Sequence, residues 1–154
     1  MNGKKTRIYY FEDDLEGLEE VVEALKEDYD VINSAKVADV ETKRKDHFDI
    51  VIIDIMIHPQ EHEDDPQRTP ENVTFADIPW TRTGVEFLRR IRRGQYKQFG
   101  FPQNIQCIIA TAAVDQNMVK ELDALGINKM LEKPFTIETM ETAISELLSS
   151  DSQE

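Results

Sequence analysis

The stretch VIIDIMIHPQ, from Val51 to Gln60, carries an apolar run straight into an acidic residue. With Ile50 in front of it, the run is short, continuous and β-branched, which is typical of a strand covered on both faces. Asp54 ends that strand, where an unpaired buried charge is costly. Alone, Asp54 could be an ordinary turn residue, so its meaning depends on how the other strands end.

The rest of the chain alternates strand and helix patterns. Further strand-length runs are RIYYF, YDVIN, IQCIIA and NKMLE, and each run is followed by a segment with helical spacing. Gly126 is placed to end one predicted helix and Thr136 to begin another, while Ala35 to Asp46 is predicted as a helix on Val37 and Val40. This alternation predicts an α/β fold: a doubly wound, five-stranded parallel sheet with helices on both faces.

Composition narrows the possible functions. The chain has 154 residues, which suits one domain over 1–154, and 31 acidic against 18 basic residues give a net charge of −13. Such a charge repels a phosphate backbone, so we expect no direct nucleic-acid partner. The apolar N-terminal run is too short for a signal peptide or a membrane span. The single cysteine, Cys107, predicts a buried thiol and fits a reducing cytoplasm.

The strand ends hold the candidate chemistry. In a parallel sheet, ligands bind beyond the carboxyl ends of the strands, where the strand order reverses. The candidate residues at those ends are Glu12, Asp13, Asp54, Thr111 and Lys133. If the first and third strands are neighbours, their carboxylates repel one another until a hard cation such as Mg²⁺ neutralises them. With a lysine and a hydroxyl beside them, these residues predict a phosphoryl-transfer site.

At this point the chain resembles the receiver domains of two-component response regulators. The motifs that carry the resemblance are FEDD at Glu12 and Asp13, VIIDIMIHP at Asp54, IIATAA at Thr111 and LEKPF at Lys133. They lie in the family's order over roughly residues 5 to 148, each at a predicted strand end. The resemblance implies a flavodoxin-like sheet of order 2-1-3-4-5, which is also the order that holds generally for this fold.

The resemblance also implies roles. Asp54 would accept a phosphoryl group from a sensor histidine kinase or a histidine phosphotransfer protein. Glu12, Asp13, Asp54 and the backbone carbonyl of Met56 would hold Mg²⁺. Thr111 would bond the aspartyl phosphate, and Lys133 would pair with it. The family's cis peptide bond would fall between Lys133 and Pro134, where proline tolerates it. The chain would then alter a downstream protein target.

Two features depart from the family pattern. Met130 stands where the family usually has an aromatic residue on the fifth strand, and its flexible side chain predicts a muted or altered switch. Residues 59–82 form an insertion after the third strand; it is either a solvated excursion or a partner-docking lid, with Phe75, Ile78 and Trp80 able to pin its far end. The segment 149–154 reads as a polar tail, and the side chains of Met56 and Ala113 would influence the phosphoryl lifetime.

Other interpretations stay open. A phosphatase of the haloacid dehalogenase type needs an aspartate two residues after the nucleophile, where this chain has Met56, so we expect no turnover enzyme beyond self-phosphorylation and autodephosphorylation. A phosphate-independent protein-binding module is the main alternative. His58 and His62 invite a transition-metal interpretation, but Pro59 interrupts any helix that would align them. The basic run LRRIRRGQYK is better explained as a charged helix face than as a nucleic-acid patch.

Overall fold

A computed structural model describes residues 5–57, 73–112 and 115–152 of the chain. Its strands are β1 (Arg7–Phe11), β2 (Asp30–Ser34), β3 (Ile50–Ile53), β4 (Gln106–Thr111) and β5 (Lys129–Glu132). Its α-helices are α1 (Leu15–Leu25), α2 (Asp39–Thr42), α3 (Thr83–Arg92), α4 (Gln116–Ala124) and α5 (Ile137–Ser152), with short 3₁₀ helices at Trp80–Arg82 and Lys97–Phe99.

The strands form one parallel sheet in the order β2-β1-β3-β4-β5. This order confirms the predicted fold class and topology. Because side chains alternate along a strand, β1 sends Ile8 and Tyr10 to one face and Tyr9 and Phe11 to the other. The first face packs against α1 and α5, and the second packs against α3 and α4. The predicted helices therefore cover both faces, and the central strand β3 is buried throughout.

Most of the predicted helix boundaries match the structure. Thr136 accepts a hydrogen bond from the Thr139 amide at 3.1 Å, and Gly126 has a positive φ of 78° after α4. The exception is α2, which covers one turn rather than Ala35 to Asp46. In that segment Val40 is deeply buried and Val37 only partly, which gives a longer helix too little apolar surface to pack. At the other end of the chain, α5 continues to Ser152, into the predicted polar tail.

The far end of the predicted 59–82 insertion packs on the domain. Val73 and Phe75 are buried in the core on the α3 side, and Ile78 is partly buried against it. The Ile57 amide donates to the Trp80 carbonyl at 3.3 Å, which closes the base of the insertion. The expectation that this end is pinned is confirmed for the side chains of Phe75 and Ile78, while Trp80 contributes its backbone carbonyl. His58 and His62 lie outside the described residues, as does the rest of 58–72.

Gly84 sets how closely α3 approaches the end of β3. Its amide donates to the Ile55 carbonyl at 2.8 Å. A Cβ at this position would lie 2.5 Å from the Asp54 carbonyl oxygen and 2.6 Å from the Cα of Ile55. Since both obstacles are backbone atoms, a side chain here would force the loop and the helix apart. In the described part of the chain, no helix is both long and apolar enough to cross a membrane.

Candidate metal centre

The sheet register brings the predicted site residues to one edge. Phe11 pairs with Ile53 across β1 and β3, so the residues that follow them, Glu12 and Asp54, are neighbours. The Asp54 amide continues the ladder by donating to the Phe11 carbonyl at 2.9 Å. On the other side, the Lys133 amide donates to the Thr111 carbonyl at 2.9 Å, which ties the ends of β4 and β5 together.

Three carboxylates converge at this edge. Glu12, Asp13 and Asp54 are 1%, 3% and 5% exposed, and each offers an oxygen within 4.8 Å of the others. Carboxylate oxygens in such a group are the ligands that Mg²⁺ and Ca²⁺ prefer. The predicted grouping of these acids is confirmed as geometry, while the metal itself remains a prediction.

The ammonium group of Lys133 reaches two of these carboxylates. Its ammonium Nζ lies 3.1 Å from Asp54 Oδ2 and also donates to Glu12. The other Asp54 oxygen, Oδ1, accepts a bond from the Met56 amide at 3.3 Å. The Asp54 carboxylate is therefore held from both sides, and the peptide bond between Lys133 and Pro134 is cis, as the resemblance implied.

Burial and the close approach of charged groups shift two pKa values in this cluster. Burial, followed by the proximity of Asp54, raises the pKa of Glu12 well above its ordinary value. Burial alone would lower the pKa of Lys133, but the carboxylates of Glu12 and Asp54 raise it. A divalent cation fits the site because it would offset the repulsion among three carboxylate oxygens that lie within 4.8 Å of one another.

The Thr111 hydroxyl is a second indication that a ligand binds at this site. Its side chain is 2% exposed, and its hydroxyl has no hydrogen-bond partner among the residues that the structure describes. A buried hydroxyl without a partner costs free energy, so such groups often mark a place where a ligand binds. The hydroxyl lies at the end of β4, next to β3 and its Asp54, where an added acceptor oxygen would satisfy it.

The remaining predicted positions are only partly tested. Met56 is half-buried in the loop after β3, and the role of its carbonyl remains a prediction. Met130 is half-buried on β5 and packs against the core on the α3 and α4 side. Ala113 lies outside the described residues.

Sequence reasoning missed Tyr10. The residue is fully buried two positions before Glu12, on the same face of β1, and its hydroxyl has no partner within the described structure. It lines a cavity of about 440 Å³ beside the acids, which Leu18, Val21, Pro134 and Phe135 also line. Tyr10 lies between Tyr9 and Phe11 in the strand RIYYF, and because aromatic residues are common in strands, nothing in the sequence distinguished it from its neighbours.

The arginines of the basic run on α3 form ion pairs and hydrogen bonds with other residues of the domain. Arg89 and Arg90 bond to Glu86 at 2.7 and 2.8 Å. Arg92 donates to the carbonyls of Leu125 and Ile105, each at 2.7 Å. These contacts favour the interpretation of the run as a charged helix face.

Comparison with known proteins gives the class of fold. The structure matches a CheY-like response regulator receiver domain protein from Methanospirillum hungatei with a TM-score of 0.68 and 17% identity over 97% of this chain and 98% of that one. It matches the BeF3-activated receiver domain of DrrB, a Thermotoga maritima response regulator, with a TM-score of 0.65 and 19% identity over 94% and 98%. It also matches a Burkholderia pseudomallei response regulator with a phosphorylated aspartic acid, a calcium ion and citrate, with a TM-score of 0.59 and 11% identity over 96% and 74%.

The chain therefore has the fold of response regulator receiver domains over nearly its whole length. No family model matches its sequence. No curated protein matches it either.

Proposed function

We propose that this chain, over residues 1–154, is a phosphorylatable receiver domain that accepts a phosphoryl group on Asp54. The observation that carries the proposal is the meeting of Glu12, Asp13 and Asp54 with Lys133 at the carboxyl end of the sheet. A buried carboxyl group whose pKa is raised by desolvation and by a specific charged neighbour, as at Glu12, is typical of functional sites. The fold of the solved receiver domains is consistent with it.

In the proposed reaction, a carboxylate oxygen of Asp54 attacks the phosphorus of a phosphohistidine, and the P–N bond breaks. The imidazole of the donor leaves with the electron pair and takes up a proton. Lys133 and the Met56 amide orient the Asp54 carboxylate, each bonding one of its oxygens. The Thr111 hydroxyl would donate to a phosphoryl oxygen of the product. Because a carboxylate is a weak nucleophile, this alignment and the neutralisation of charge provide the catalysis.

Glu12, Asp13 and Asp54, with the Met56 carbonyl, would hold Mg²⁺. The cation would supply positive charge to the phosphoryl oxygens. The Burkholderia response regulator contains calcium together with a phosphorylated aspartic acid, which supports a divalent cation at this kind of site.

The proposed partners are a sensor histidine kinase or a histidine phosphotransfer protein as donor, and a downstream protein as target. We propose that the chain acts in the cytoplasm, without a membrane or nucleic-acid partner. Signalling rather than turnover is the proposed role, with self-phosphorylation and autodephosphorylation as its only reactions.

The test is labelling with radioactive acetyl phosphate and Mg²⁺. We expect acid-labile label on the wild type, loss of that label in Asp54→Asn, and full label in Asp123→Asn. The last variant makes the same chemical change at an exposed aspartate on α4. Equal labelling of the wild type and Asp54→Asn would overturn the proposal.

Met130 favours the alternative, a phosphate-independent binding module. A flexible thioether at this half-buried position provides no ring whose rotation could report phosphorylation. In that case a partner would bind wild type and Asp54→Asn equally, with or without acetyl phosphate. Label on Asp54 together with phosphate-dependent partner binding would exclude this alternative.

A further inference from the structure

The loop that contains Asp54 is bonded to the far end of the insertion. In this loop, Asp54–Ile57, the Ile55 carbonyl accepts a hydrogen bond from the Gly84 amide at 2.8 Å. The Ile57 amide donates a hydrogen bond to the Trp80 carbonyl at 3.3 Å. The Thr83 hydroxyl also donates to the Trp80 carbonyl, at 3.1 Å. A displacement of the loop would therefore move the segment Trp80–Gly84, which leads from the insertion into α3.

The same segment is bonded to α4. Arg82, the last residue of the 3₁₀ helix, donates to one oxygen of Glu121 on α4, and Arg89 of α3 donates to the other oxygen. The hydrogen bond from Arg82 is the main cause that lowers the pKa of Glu121 below its ordinary value. The two arginines together hold both oxygens of one carboxylate.

This contact matters because α4 is lightly packed. Leu122 is the residue that α4 buries fully within the described structure, while Met118 is only partly buried. Helices get most of their stability from an apolar face packed on the core. With so small a face, α4 depends unusually strongly on its polar contacts at Glu121.

We propose that Arg82 is a positioning residue that couples the Asp54–Ile57 loop to α4 through its ion pair with Glu121. The connection runs through the far end of the insertion and does not involve Met130 on β5. The proposal rests on the proposed function in one respect only: phosphorylation of Asp54 would be the event that the coupling transmits. The contacts themselves are present in the unphosphorylated chain. Coupling between sites is reciprocal, so a change at either end should be felt at the other.

The first experiment uses amide hydrogen exchange of the full chain without any ligand. We expect Arg82→Gln to speed exchange of the α4 amides about two- to fivefold, the range for a partly exposed ion pair. We expect Glu121→Gln to speed exchange of the Ile57 and Gly84 amides by a similar factor. Arg82→Lys, which keeps the charge, should restore part of the protection.

Two control variants separate coupling from general loosening. Arg89→Gln removes the other cation from Glu121 and should speed α4 exchange while leaving the Ile57 and Gly84 amides unchanged. Glu146→Gln removes the surface ion pair with Lys129 and should change neither region. The double variant Arg82→Gln, Glu121→Gln should be no worse than Glu121→Gln alone, because Glu121→Gln already removes the ion pair with Arg82. Additive effects, or an unchanged Ile57 amide in Glu121→Gln, would overturn the proposal.

The second experiment adds beryllofluoride and Mg²⁺ as a phosphoryl mimic. In the wild type we expect the mimic to change α4 exchange, and in Arg82→Gln we expect that change to fall by at least about half. An equal response in both proteins would overturn the coupling. If the wild type binds no mimic at all, the proposed function fails, while the ligand-free experiment still decides the role of Arg82.

Discussion

The acids at the carboxyl end of the sheet and the acids between α3 and α4 show pKa shifts of opposite sign. In the first group Lys133 pairs with Glu12 and Asp54, and the pKa of Glu12 is raised. In the second group three arginines serve two acids, Glu86 and Glu121.

In the second group the pKa shifts are downward. Burial alone would raise the pKa of Glu86, but hydrogen bonds from Arg90 and Arg89 lower it. The arginines likewise lower the pKa of Glu121. The difference shows that the arginines stabilise the charged form of the acids between the helices, whereas burial at the sheet edge disfavours the charged form of Glu12.

The largest expected effect tests whether the first group binds a cation. Asp13→Asn should weaken Mg²⁺ binding about 100-fold or more, because loss of a direct ligand costs at least as much as loss of a residue that merely supports one. Isothermal titration calorimetry measures this, with Asp123→Asn as the matched control. Equal affinity in wild type and Asp13→Asn would mean that the group is not a metal site.

The next largest effect concerns Gly84, where the start of α3 packs against the loop that contains Asp54. Gly84→Ala should lower the free energy of unfolding by about 1–3 kcal/mol, the usual cost of forcing an added methyl group into a packed interior. Urea denaturation measures the change. Gly17→Ala is the control, because its added Cβ would meet the Asp14 side chain rather than backbone atoms and should cost no more than the Asp14 hydrogen bond that caps the Gly17 amide, about 1 kcal/mol. A wild-type stability for Gly84→Ala would show that the loop and α3 can separate freely.

The same substitution should act with opposite sign in the two groups. Without metal, Glu12→Gln should raise the free energy of unfolding at pH 7 by on the order of 1 kcal/mol, because it removes a carboxyl group whose pKa is raised on folding, and that rise costs stability at pH 7. Glu86→Gln should lower it by a similar amount, because it breaks charged hydrogen bonds to two arginines. Thermal unfolding in EDTA compares them. Destabilisation by both changes would contradict the upward pKa shift of Glu12.

The smallest effect is the pH dependence of Glu86. Because its folded pKa lies below the unfolded value of 4.5, its contribution is present above pH 4.5 and is lost as the pH falls through the folded pKa. The stability difference between wild type and Glu86→Gln should therefore shrink below pH 4.5. A constant difference from pH 7 to pH 3 would show that Glu86 acts through packing alone.

The site residues that could be predicted from the sequence are those that lie at the carboxyl ends of strands. Asp54 and Thr111 could be placed because short β-branched runs fix where parallel strands stop, and the carboxyl ends share one edge. The extent of α2 could not be predicted, because helical propensity without a packed face does not determine length. The ion pair between Arg82 and Glu121 was also beyond sequence reasoning, since it depends on how α3 and α4 lie on the sheet and carries no local motif.

The hydrogen bond between Ile57 and Trp80 has a practical consequence for protein engineering. It holds the two flanks of the intervening segment side by side, so a folded reporter grafted between them would need little closure entropy and would not pull the domain apart. Such a fusion would begin just past Ile57, three residues after Asp54, so its fluorescence would offer a test of the phosphotransfer that we propose at that residue.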